Sequence, residues 1–148
     1  MKKILAVASG GGHWKQLIKL KPELEKANII YATTIKGLAE QEGIKNSYIL
    51  PEASSTEKLK IPNLLYEVIK MIVKERPDII ISTGAAPGLL TIVCGRLLGS
   101  KTLWVDSIAN GEKLSMCGRL STFFAHKTLS QWENLCDGRK VFYHGSII

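Results

Sequence analysis

The sequence predicts an α/β protein built on a doubly wound parallel sheet. Three observations carry this expectation. Short apolar runs alternate with helical patterns along the whole chain. Several of those runs are apolar at nearly every position, as in strands with both faces covered. Small or glycine-rich breaks follow the runs, where a strand would hand over to a helix.

Taken in order, the first strand is expected at residues 3–8 and breaks into Ser9-Gly10-Gly11-Gly12-His13. A helix over 14–26 sets Leu17, Ile18, Leu20 and Leu24 on one side and lysines elsewhere. Strands are expected at 29–33 and 47–50. Residues 52–60, polar and serine-rich between Pro51 and Pro62, read as the most mobile loop. A helix over 63–74 aligns Leu64, Leu65, Val68, Ile69 and Ile72. Pro62 suits its start, and Arg76-Pro77 ends it. A strand at 78–82 leads to a mostly buried helix over 88–98, closed by Gly99. A strand at 102–105 is followed by a helix over 114–125 that clusters Leu120, Phe123 and Phe124, and by a strand at 127–129. Residues 141–143 add a last edge strand. Right-handed crossovers between such strands leave a ligand crevice at their carboxyl ends.

The bulk properties narrow the class. The chain of 148 residues reads as one domain, 1–148, with 45% hydrophobic and 22% charged residues, the balance of a soluble globular protein. A formal net charge of +7 favours acidic company: phosphorylated substrates, an anionic membrane surface, nucleic acid or an acidic subunit. Cys94, Cys117 and Cys136 have no metal-ligand spacing and read as reduced packing residues of a cytosolic protein. The opening Met1-Lys2-Lys3 and its apolar run are too short for a signal peptide, and no stretch reaches the ~20 apolar residues of a membrane span. Membrane contact is therefore expected to be peripheral or through a partner. Nucleic acid is not expected, because aromatic residues make up only 7% and form no stacking array. His13, His126 and His144 show no ligand spacing, so no metal is expected, nor is any cofactor.

Ser9-Gly10-Gly11-Gly12-His13 carries the clearest chemistry. Bare backbone at a helix start lets N–H groups approach a phosphate, and the helix dipole adds positive charge. It is neither a dinucleotide fingerprint nor a Walker A loop: position 15 is Lys, and Thr33 and Thr34 end the second strand where an acidic residue would hold a ribose. Three successive glycines exceed what a plain turn needs. A neutral imidazole at His13 would suit a general base or phosphate-side donor, and a capping or packing role is the alternative. Ser82-Thr83-Gly84-Ala85-Ala86-Pro87-Gly88 is either a second anion loop or a plain turn. Asp106, Asn110, Glu112 and Ser115 crowd polar groups after the fifth strand, as a site or as a helix-capping loop. The lysines at 15, 19, 21, 26, 58, 60, 70 and 74 are a solvated face or a seat for anionic lipid.

The order of these motifs, with Pro77-Asp78-Ile79-Ile80-Ile81-Ser82-Thr83-Gly84, Asp106-Ser107-Ile108-Ala109-Asn110, Leu114-Ser115-Met116-Cys117-Gly118-Arg119, Ser130-Gln131-Trp132 and Tyr143-His144-Gly145-Ser146, resembles a known family. It is the bacterial polysaccharide-biosynthesis glycosyltransferase subunit of the PssD type. That family is similar to the membrane-recruiting subunit of the eukaryotic two-component UDP-N-acetylglucosamine transferase, and to the N-terminal domain of MurG. The resemblance covers essentially the whole chain.

It implies a Rossmann-like fold equivalent to the N-terminal half of a GT-B glycosyltransferase. A separate donor-binding subunit would supply the C-terminal half. The reaction implied is inverting transfer from UDP-N-acetylglucosamine or a related UDP-hexose to a polyprenyl-diphosphate-linked saccharide, with little activity in the chain alone. Carried over, His13 would be the catalytic base. Gly10, Gly11, Gly12, Thr83, Gly84, Asn110, Glu112, Ser115 and Arg119 would hold the acceptor and its diphosphate. The eukaryotic relatives carry an N-terminal membrane helix that is not seen here, so the expected location is cytoplasmic, docked peripherally at the inner face of the plasma membrane. Two rival expectations are a non-catalytic scaffold for a partner transferase and a stand-alone nucleotide-binding enzyme.

Overall fold

The computed structural model describes residues 1–53 and 57–147. Seven strands, β1 (Lys3–Ala8), β2 (Asn28–Thr33), β3 (Ser47–Ile49), β4 (Ile79–Gly84), β5 (Lys101–Val105), β6 (Lys127–Ser130) and β7 (Val141–Tyr143), form one sheet. Its order is β3-β2-β1-β4-β5-β6-β7, and neighbouring strands run parallel. Among the described residues six α-helices connect them: α1 (Gly12–Lys19), α2 (Lys21–Leu24), α3 (Leu38–Gln41), α4 (Ile61–Glu75), α5 (Ala86–Leu97) and α6 (Met116–Phe124). The chain winds outward from β1 to β3, returns to lay β4 beside β1, and winds outward again. The carboxyl ends of β1 and β4 therefore bracket the switch point where a doubly wound sheet binds its ligand.

β1 shows why the strands look apolar throughout. Leu5 and Val7 enter one core with Leu64, Val68, Met71, Ile80, Ile92 and Trp104. Ala6 and Ala8 enter the other with Trp14, Leu17, Tyr31 and Ile81. All four strand residues are fully buried. Each buried Leu or Val contributes about 1.5–3 kcal/mol relative to exposure. The second core holds Trp14 edge-on to Tyr31, ring centroids 6.1 Å apart.

Some expectations need correction. The helix expected over 14–26 is broken at Leu20, because Pro22 has no N–H to continue the ladder and opens a new turn as α2. α3, only four residues long, has too few positions to show a period. α5 starts two residues early, its first turn accepting Pro87. β4 runs on to Gly84. Of the loop expected at 52–60, residues 54–56 lie outside the described residues, and Lys58–Lys60 form a 3-10 turn. Cys94 is buried and Cys117 partly so, but Cys136 is exposed rather than packed in the core. Among the described residues no helix is long and apolar enough to cross a membrane.

Candidate functional site

The glycine loop and the β4–α5 loop are laced together at the switch point. Ser9 N donates to Gly84 O at 2.8 Å, and Ala85 N donates to Ser9 Oγ at 3.1 Å. Gly10 N is taken by Thr34 Oγ1 at 3.0 Å. Gly11 reaches φ 86°, a left-handed conformation that glycine adopts freely, and serves as N-cap of α1 without any side chain capping the helix. The N–H groups of Gly12, His13 and Trp14 therefore have no protein acceptor among the described residues. α5 likewise has Ala85 as its N-cap, with no side chain capping the helix. Two helix N-termini thus open at the ends of neighbouring strands, where their dipoles favour an anion.

His13 is fixed between them. Its Nδ1 lies 2.9 Å from Thr83 O, and a carbonyl oxygen only accepts, so in the neutral ring Nδ1 carries the proton and Nε2 the lone pair. Thr83 Oγ1 donates back to His13 O at 2.7 Å. Thr83 is 1% exposed, so its hydroxyl is a clamp on His13 rather than a ligand contact. Gly84 completes the seat. Its φ is 120°, and a Cβ there would stand 2.5 Å from His13 Nδ1.

The third loop is organised from beneath. Asp106, 2% exposed, accepts from Trp104 Nε1 (3.1 Å), Ser115 N (3.0 Å) and Ser115 Oγ (2.6 Å). Ser115 Oγ in turn accepts from Gly118 N at 2.9 Å, capping α6. A Cβ at Gly118 would fall 2.4 Å from Asp106 Oδ1. Ser115 is thus committed to the cap. Burial, and then the Asp106 carboxylate, push the neighbouring Cys117 thiol up, which keeps it protonated. Asn110 and Glu112 line a hollow of about 460 Å³ with Lys113 and Trp132, and Arg119 stands exposed in the first turns of α6 outside it.

Two residues that received no role from the sequence, Gln16 and the motif residue Gln131, join these parts. Gln16, one turn after His13, donates through Nε2 to Ser107 Oγ at 3.0 Å and accepts from Ile108 N at 3.3 Å. Gln131 Nε2 donates to Gln16 Oε1 (2.5 Å) and to Asp106 O (2.9 Å), while its Oε1 accepts from Ile147 N at 2.7 Å. Both glutamines are buried, at 9% and 4% exposure. The one available signal was an amide on the inward side of α1, where an apolar residue is usual. Gly11, Gly12, His13, Thr83 and Gly84 thus stand together at the switch point. Asn110 and Glu112 form a second cluster, tied to the first through Gln16.

No family model matches the chain, and no curated protein does. Solved structures do share its architecture. MurG of Acinetobacter baumannii superposes with a TM-score of 0.80 at 14% identity, over 97% of this chain and 45% of MurG. UDP-N-acetylglucosamine 2-epimerase of Rickettsia bellii gives 0.73 at 15% identity, over 99% of this chain and 45% of the epimerase. A glycosyltransferase of Rickettsia africae gives 0.66 at 14% identity, over 97% and 42%. At such identities the likeness shows the fold: a Rossmann-like α/β unit of the kind found in GT-B glycosyltransferase-like proteins. The chain spans less than half the length of each of these structures.

Proposed function

We propose that this domain is the acceptor-side half of an inverting glycosyltransferase. The reaction moves a sugar from UDP-N-acetylglucosamine or a related UDP-hexose onto a polyprenyl-diphosphate-linked saccharide at the inner face of the plasma membrane. A second polypeptide with the donor-binding half completes the cleft. The observation that carries this reading is His13, held through Nδ1 by Thr83 O with no partner for Nε2 among the described residues, beside two uncapped helix N-termini.

The uncapped N–H groups of α1 and α5 take the diphosphate of the acceptor. Nε2 of His13 accepts the proton of the acceptor hydroxyl as its oxygen attacks the anomeric carbon. The bond from that carbon to the diphosphate oxygen breaks, UDP leaves with the electron pair, and the donor half stabilises its charge. The imidazolium formed keeps its Nδ1–H bond to Thr83 O, which holds the ring in place through the proton transfer. The net charge of +7 draws the domain to an anionic membrane.

Transfer of radiolabelled sugar from the UDP donor to a polyprenyl-diphosphate saccharide tests the reading, with the chain alone and with a donor-half polypeptide added. Product is expected only from the pair, with the anomeric configuration inverted. Full turnover by the chain alone overturns the two-part reading, and tight binding of a UDP-sugar by the chain alone supports a nucleotide-binding enzyme instead.

A further inference from the structure

The three tryptophans divide by environment. Trp14 and Trp104 are 3% and 1% exposed inside the two cores, whereas Trp132 is 41% exposed just beyond the carboxyl end of β6. Its ring is nevertheless fixed. Nε1–H donates to Ile108 O at 2.6 Å, and the backbone N donates to Ser130 Oγ at 3.0 Å. Gly111 lies so close that a Cβ there would come within 3.2 Å of the indole, and Asn134 Nδ2 holds Gly111 O at 2.9 Å. An immobilised indole whose one polar group is already bonded has only apolar ring surface left to offer. Two hollows meet at it. One, of about 460 Å³, contains Asn110, Glu112 and Lys113. The other, of about 640 Å³, contains Glu133 and Asn134.

We infer that Trp132 is the platform of a saccharide-binding site, on which an uncharged sugar ring stacks while Glu112, Glu133 and Asn110 accept its hydroxyl hydrogens. A pyranose has C–H groups on its faces and hydroxyls around its rim, so it needs an apolar plate bordered by carboxylates and amides. A nucleotide fits this place poorly, because its phosphates would meet two carboxylates against the single Lys113. The platform is in fixed register with the switch point. Ile108, which holds the indole through its carbonyl, bonds through its N–H to Gln16 on the helix that carries His13. That the sugar is part of the lipid-linked acceptor rests on the proposed function; the stacking site itself does not.

The test titrates the full chain with neutral disaccharides of glucose, galactose and N-acetylglucosamine, following the three indole N–H signals by NMR. No donor or second polypeptide is present, so the outcome is independent of transfer activity. The Trp132 signal is expected to shift while those of Trp14 and Trp104 stay. The Trp132 variants lack that signal, so their affinity is read by calorimetric titration: Trp132→Phe should retain binding, Trp132→Ala should weaken it about tenfold, and Glu112→Gln should weaken it severalfold. Unchanged Trp14 and Trp104 signals establish that Trp132→Ala is folded. Absence of a shift with every sugar, or unchanged affinity in Trp132→Ala, overturns the inference, as does displacement of bound sugar by uridine monophosphate.

Discussion

His13 owes its place to what Gly84 lacks. The imidazole occupies the space where a Cβ on residue 84 would sit, and the same residue has a φ of 120°. Gly84→Ala is therefore expected to destabilise the fold by about 2 kcal/mol and to drive the ring off Thr83 O, read by thermal unfolding and by the His13 ring signals in NMR. An unshifted ring with unchanged stability would show that the seat is loose. The sequence displayed part of this arrangement. Three glycines before a histidine are local, and their chemistry follows from bare backbone at a helix start. The role of Thr83 was not legible: a threonine beside a loop glycine reads as a ligand contact, and only the fold turns its hydroxyl back onto a carbonyl 70 residues away. The bond between Gln16 and Gln131 was not legible for the same reason, the two being 115 residues apart.

α6 depends on the residue that caps it, Ser115. Its inward positions Gly118 and Ser121 are small, so little apolar burial fixes it, and the bond from Gly118 N to Ser115 Oγ carries more of its start. Ser115→Ala should cost about 1 kcal/mol, measured by chemical denaturation, and should loosen the 106–115 loop because Asp106 loses one of its donors. Ser115→Asn, another good capping residue, should restore part of the loss. Equal stability of both variants with the parent would remove the cap from the argument. Helix positions were readable from apolar spacing for α4 and from an apolar run closed by Gly99 for α5. Boundaries were not, because they are set by single residues: Pro22 divides α1 from α2, and Ser115 delays α6 by two residues from the expected start.

One carboxylate ties the sheet's amino edge to the longest helix. Glu75, at the end of α4, pairs with Lys3 of β1 at 2.8 Å and accepts from the Tyr48 hydroxyl of β3. Lys3 chiefly, then Tyr48, hold the Glu75 carboxyl below its ordinary value of 4.5, so its contribution is complete above that pH and is lost as pH falls through the lowered folded value. Tyr48 is pushed up to about 12, first by burial and then by Glu75, so its contribution holds below pH 10 and fades as pH rises toward 12. Glu75→Gln should flatten the acid limb of a plot of stability against pH and leave most of the alkaline limb, which burial of Tyr48 sustains. A parallel downward shift, with the acid limb intact, would assign acid sensitivity elsewhere. The global fold was the most legible level, since alternating strand and helix with strands apolar on both faces admits few other architectures.

The decisive measurement is turnover of the two-polypeptide pair with His13→Ala in place of the parent chain, with pairing verified by sedimentation. Loss of about a hundredfold or more in kcat with intact pairing is expected if Nε2 of His13 removes the acceptor proton. Unchanged kcat in that variant would contradict it, leaving the domain a scaffold beside a catalyst that works without it.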